Sequence, residues 1–154
     1  MLDPNSETGI GVPEHEQNKP LHILLVEDNL PITSLLIEVL KGHTIENTTT
    51  AENAIEILRK AKKEGKGFDW VITDKGLAGE GDGFTVAEAI QSEKLGCPFV
   101  TMFTGSAKDV LDENPGDRLQ ERGVHDIIAK PFRIKEFVEK IPEVRKFLQK
   151  VRSQ

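Results

Sequence analysis

The chain has 154 residues, 37% of them hydrophobic and 30% charged, with a formal net charge of −6. That length holds one domain with a sizeable core, and the negative balance argues against a nucleic-acid-binding surface. The single cysteine, Cys97, excludes an internal disulfide and fits a reducing cytoplasm, while no apolar run suits a bilayer span and no signal peptide opens the chain.

Residues 1–20 carry Pro4, Pro13 and Pro20 among acidic residues, with little apolar content, and read as a disordered lead to a domain over 21–150. Residues 21–26 are an apolar run of strand length, stopped by Glu27, Asp28 and Asn29. Pro31 suits a first helical turn, and Ile32, Leu35, Leu36, Val39 and Leu40 continue at helical spacing as far as Gly42. Residues 44–49 are β-prone but polar, which suits an edge strand. Thr50 is placed to cap a second helix, with Ala51, Ala54, Ile55, Leu58 and Ala61 on one face.

Residues 68–74 form the next strand, apolar for most of its length and ending in the carboxylate of Asp74. A glycine-rich loop follows, then a helix marked by Phe84, Ala87 and Ile90, then a strand over 98–104. Cys97, just before it, reads as a small buried residue rather than a reactive thiol, and Trp70 as core packing. The break Asn114-Pro115-Gly116 predicts one short helix or two fragments between 108 and 122. A fifth strand over 126–129 closes on Lys130-Pro131, and a last helix turns Ile134, Phe137, Val138, Ile141 and Leu148 inward, with Pro142 expected to kink or interrupt it. Strand and helix thus alternate without an internal repeat, which argues for a doubly wound α/β fold: a parallel sheet with helices on both faces.

Ligands of such a sheet sit outside the carboxyl ends of its strands. Glu27 and Asp28 follow the first strand, Asp74 the third, Thr104 the fourth and Lys130 the fifth. Carboxylates crowded in one crevice repel unless a cation joins them, and an all-oxygen set with few protein ligands suits Mg²⁺. A lysine and a hydroxyl opposite are what phosphoryl oxygens need, so the residues themselves point to a magnesium-dependent phosphoryl site with Asp74 as nucleophile.

The segments Ile23-Leu24-Leu25-Val26-Glu27-Asp28-Asn29, Val71-Ile72-Thr73-Asp74, Thr104-Gly105-Ser106 and Lys130-Pro131-Phe132 resemble the signature segments of receiver domains, the phosphoacceptor domains of two-component response regulators. The resemblance covers about residues 21–147. It implies a five-stranded parallel sheet of flavodoxin-like order 2-1-3-4-5. It implies that Asp74 accepts a phosphoryl group from a sensor histidine kinase or a histidine phosphotransfer protein. Glu27, Asp28 and Asp74 would hold Mg²⁺ with the backbone carbonyl of Gly76. Thr104 and Lys130 would engage the phosphoryl oxygens, and the Lys130-Pro131 bond would be cis. The implied output is protein binding through the face of the fourth helix, fifth strand and fifth helix, or onward phosphotransfer, with no nucleic acid or membrane involved. Too little chain follows Lys150 for an output domain, so a cytoplasmic single-domain regulator is expected, not an enzyme acting on outside substrates.

Three departures from the family pattern stand out. Ala78 occupies a position that usually holds proline, and the loop through Glu80-Gly81-Asp82-Gly83 is one residue longer than usual. Ile127 stands at the switch position, where many members carry an aromatic that rotates inward. That last change keeps a phosphorylation-independent binding module in view as the alternative. A phosphatase working through an aspartyl-phosphate is disfavoured, because Gly76 stands where such enzymes want a second carboxylate. A flavin protein of similar topology is disfavoured because Glu27 and Asp28 would repel its phosphate.

Overall fold

In the computed structural model, which describes residues 19–153, five short strands lie parallel: β1 (His22–Val26), β2 (Thr44–Thr48), β3 (Trp70–Asp74), β4 (Phe99–Thr104) and β5 (Asp126–Ala129). Their order across the sheet is β2-β1-β3-β4-β5, with every neighbouring pair parallel. The central strands β3 and β4 are buried at every residue, because helices cover both faces. On the edge, β2 buries only Thr48 completely, as its polar sequence requires.

Two apolar layers sandwich the sheet, and the alternation of side chains along each strand feeds both. Leu24, Val26, Val71, Val100 and Met102 point to one layer, which is closed by α2 (Ala51–Lys63) and α3 (Gly83–Ser92). Ile23, Leu25, Trp70, Ile72 and Phe103 point to the other, closed by α1 (Leu30–Val39) and α6 (Ile134–Arg152). Trp70 is fully buried and also donates its ring N–H to Thr101 Oγ1 at 2.9 Å, so its one polar atom is satisfied.

The helix starts follow local chemistry. The Asn29 side chain caps α1 by accepting from the Ile32 amide, with Pro31 just inside. Thr50 caps α2 through the Asn53 amide, and Asp82 forms a reciprocal capping box with Thr85 at α3. The helix after β4 is broken into α4 (Ala107–Glu113) and α5 (Arg118–Glu121) around Asn114-Pro115-Gly116. Asn114 is buried there, donating to the Val110 carbonyl at 2.7 Å and accepting from Arg122 at 3.1 Å. The Arg122 guanidinium lies 3.6 Å over the Phe84 ring and also bonds Glu88, so the break is tied to α3.

Several expectations need correction. Of the kink or interruption expected at Pro142, the interruption is absent: the last helix runs from Ile134 to Arg152 with Pro142 inside it. Pro142 is exposed, and so is Val138, the residue whose carbonyl would otherwise accept from position 142, so the missing donor falls on the solvent side of the helix. Ile134 and Val138 do not point inward: they are 41% and 42% exposed, while Phe137, Val144 and Leu148 fill the core. Cys97 is exposed, because Gly96 turns the chain with φ at 97° and the strand begins only at Phe99. Of the lead segment expected over 1–20, residues 1–18 lie outside the described residues.

Candidate functional site

Parallel pairing brings the carboxyl ends of β1, β3, β4 and β5 to one rim of the sheet. Val26 pairs with Thr73, Asp74 with Phe103 and Thr104 with Ala129, so Glu27, Asp74, Thr104 and Lys130 all emerge there. Carboxylate oxygens of Glu27, Asp28 and Asp74 lie within 4.8 Å of one another. Glu27 and Asp74 are buried, 1% and 8% exposed, whereas Asp28 is open to solvent.

Among the described residues, one cation pairs with these carboxylates. Lys130 Nζ is 2.9 Å from Asp74 Oδ2 and 3.9 Å from Glu27 Oε2. Its ammonium also lies 4.9 Å from the centroid of the Phe103 ring, which holds the side chain across the rim. The Lys130-Pro131 bond is cis, as expected. Asp74 Oδ1 accepts from the Gly76 amide at 3.3 Å, and Glu27 Oε1 from the Asn29 amide at 2.9 Å. Glu27 Oε2 is buried without a hydrogen-bond partner among the described residues. Burial, together with the negative charge of Asp74, pushes the Glu27 carboxyl up to about 7, against the pull of the Asn29 amide and Lys130. A buried carboxylate oxygen that lacks a donor, beside two more carboxylates, is a donor set that suits a hard divalent cation.

Thr104 is 4% exposed, its hydroxyl oxygen accepting from the Ser106 amide at 3.1 Å and sharing a bond with the Ser106 hydroxyl. Its carbonyl accepts from the Lys130 amide at 2.9 Å, which couples the two loops. Ile127 is half-buried on β5, paired with Met102 and packed against the layer under α2 and α3. Gly76 is exposed beside the rim.

Other residues hold this rim and carry weaker sequence signals. Gly83 opens α3 against the main chain of Asp74: a Cβ there would stand 2.6 Å from the Asp74 carbonyl oxygen. Only glycine fits that approach, and an Asp-Gly pair at a helix start is its trace in the sequence. The long loop after Asp74 is fixed by the Gly81 amide donating to Glu52 of α2 at 3.0 Å, and by a bridge between Thr50 and Ala78. Nothing in the spacing of Glu52 announces that contact.

Residues 23–142 match the family described as the response regulator receiver domain. The chain is 31% identical over 128 residues to the regulatory protein VirG of Agrobacterium tumefaciens, covering 81% of this chain and 44% of that one. It therefore spans less than half the length of that relative. Among solved structures, the receiver domain of sensor histidine kinase PA1611 from Pseudomonas aeruginosa PAO1, with magnesium in its active-site cleft, superposes with a TM-score of 0.64 at 21% identity, over 82% of this chain and 98% of that one. The chemotaxis response regulator CheY4 of Vibrio cholerae superposes at 0.67 and 19% identity, over 82% and 99% of the two chains. No helix among the described residues is long and apolar enough to cross a membrane.

Proposed function

The chain belongs to the response regulator receiver domain family, and from that premise we propose that Asp74 accepts a phosphoryl group from a phosphohistidine on a kinase or phosphotransfer protein. A carboxylate oxygen of Asp74 attacks the phosphorus; the new O–P bond forms as the P–N bond to the imidazole breaks, and the imidazole leaves with the electron pair. Glu27, Asp28 and Asp74 would hold Mg²⁺, with the carbonyl of Gly76 completing the protein's share. Mg²⁺ supplies positive charge against the crowded carboxylates and the incoming phosphoryl oxygens. Lys130, already on Asp74 Oδ2, transfers its ammonium to a phosphoryl oxygen on the same carboxylate. Thr104 exchanges its contact with Ser106 for a bond from its hydroxyl to another. The observation that carries this reading is the under-compensated charge of the rim: among the described residues, a buried Glu27 oxygen has no donor and Lys130 alone pairs with Glu27 and Asp74.

Phosphorylation then stabilises one of two conformers, and a partner protein reads the difference or takes the phosphoryl group onward. With Ile127 at the switch position, transmission proceeds without an aromatic swing. The break between α4 and α5, tied to α3 through Arg122, is the part of that face with its own construction. The domain catalyses only its own phosphorylation and slow dephosphorylation.

Intact mass after incubation with acetyl phosphate tests the proposal. Expected is a gain of one phosphoryl group that requires Mg²⁺ and is absent in Asp74→Asn. No gain in the folded wild-type protein would overturn it in favour of a binding module that works without phosphorylation.

A further inference from the structure

The end of the sheet remote from Asp74 holds a groove of about 640 Å³. It lies where the last turn of α3, the loop leading to β4, the start of β5 and the end of α6 meet. Ile90, Pro98, Val100, Phe147 and Val151 give it apolar walls. Its volume falls in the range of small-molecule sites, which combine apolar walls with a few fixed polar groups. No Asp or Glu among the described residues lines it, in a chain whose formal net charge is −6.

Two of the side chains it presents are donors without a partner among the described residues, while Gln91 spends its amide nitrogen on the Gln120 carbonyl at 3.1 Å. His125 lines the groove, and its Nδ1 accepts from the Val100 amide at 3.0 Å. The neutral ring therefore carries its proton on Nε2, which has no partner among the described residues. Ring contacts with Phe99 and Phe147, at 5.4 and 4.6 Å between centroids, fix the imidazole plane, and burial lowers its pKa and keeps it neutral.

The other donor is Lys94, and its backbone is unusual. The α3 helix ends in a Schellman turn, with the Leu95 amide bonded to the Ile90 carbonyl and the Lys94 amide to that of Gln91. Lys94 occupies the left-handed position of that turn with φ at 55°, where glycine is the preferred residue. Its carbonyl is held by the Lys62 ammonium, and its own ammonium makes no ion pair among the described residues. A cation thus stands at the groove's rim in a position that backbone stability alone would give to glycine.

We propose that this groove binds a small amphipathic carboxylate. Its apolar body packs on Val100, Phe147 and Val151, and its carboxylate is taken by the Lys94 ammonium and the Nε2–H of His125. The site is independent of the phosphoacceptor rim: Val100 and Thr104 are separated by roughly 13 Å along β4 at the usual strand rise.

The test uses 2-naphthoate and its uncharged counterpart 2-naphthylmethanol, titrated at pH 7 into the ¹⁵N-labelled full chain. Expected are saturable amide shifts at Leu95, Val100, Gly123 and His125, with the carboxylate bound about tenfold tighter or more than the alcohol, the worth of a charge-assisted bond. Saturating naphthoate should also slow alkylation of the exposed Cys97, which lines the same groove. Lys94→Gly should remove the preference for the carboxylate while the protein melts at the same or a higher temperature, since glycine suits the turn better. Absence of saturable shifts would overturn the proposal. So would equal binding of the two compounds, shifts centred instead on Ile134 and Val138, or an undiminished carboxylate preference in a folded Lys94→Gly.

Discussion

The two ends of the sheet treat their carboxylates differently. At the amino end, Asp69 and Asp126 each pair with a cation from α6, although Lys140 also reaches Glu143 at 3.5 Å. Asp69, just before β3, accepts from the His22 amide at 2.8 Å and pairs with Arg152, and Asp126, opening β5, pairs with Lys140 at 3.0 Å. At the carboxyl end, Lys130 is the one cation among the described residues that pairs with Glu27 and Asp74, with Asp28 beside them. Carboxylates stand at both ends; what differs is that α6 delivers Lys140 and Arg152 to the amino end, whereas the carboxyl end receives Lys130 from the loop after β5. The amino end fastens the sheet to α6, whereas the carboxyl end keeps unspent negative charge for something the chain itself does not provide.

The largest expected effect comes from relieving that charge. Glu27→Gln keeps the shape and removes the buried anion, so the metal-free protein should be stabilised at neutral pH by roughly 1–3 kcal/mol, while the gain from Mg²⁺ is lost. In the wild type the Glu27 carboxyl titrates at about 7 when folded, against an ordinary value of 4.5. The folded state therefore binds this proton more tightly than the unfolded one. The associated stability is complete below the ordinary value and is lost as pH rises through about 7. Because burial lowers the pKa of His43 and His125, which adds stability as pH rises, the difference between two melting curves carries the reading: from pH 4.5 to 7.5 the metal-free wild type should lose stability relative to Glu27→Gln, and saturating Mg²⁺ should shrink that loss. Parallel curves for the two metal-free proteins would show that the rim charge is already compensated.

An effect on stability alone, with none on metal binding, is expected at the amino end. Lys140→Met leaves Asp126 without its partner; burial already raises that carboxyl above its usual range, and its second oxygen is buried and unbonded. A loss of roughly 1–3 kcal/mol by urea denaturation is expected, with Mg²⁺ affinity unchanged. A change in Mg²⁺ affinity would break the separation between the two ends. The smallest effect should come from Arg152→Ala, since this side chain is 57% exposed and Asp69 retains its bond to the His22 amide. There the loss should stay below about 1 kcal/mol and shrink with added salt.

Much of the molecule was legible from the chain because the signals are local. Thr50 and Asn29 cap the helices they precede, and Asn114-Pro115-Gly116 splits the helix it interrupts. The apolar runs at 21–26, 68–74 and 98–104 are central strands because only a strand covered on both faces is apolar at successive residues. Once the strands are parallel, the residues that end them must share one rim, and so the gathering of Glu27, Asp28, Asp74, Thr104 and Lys130 followed from order alone.

Burial and partnership were not legible, since they depend on segments distant in sequence. Helical spacing put Ile134 and Val138 on the inner face of α6, but Phe137, Val144 and Leu148 already fill the layer beneath, and the stripe is narrower than the pattern. Cys97 is small and apolar enough for a core, yet the turn at Gly96 leaves it in a loop. Sequence by itself determined which residues end the strands, because strand length and capping are settled within a few neighbours. Only the tertiary structure decided that Glu27 lacks a donor, that Gly83 must touch Asp74, and that Lys94 and His125 share a groove. Each of those depends on how closely two elements approach, and that distance is set by packing across the whole sheet.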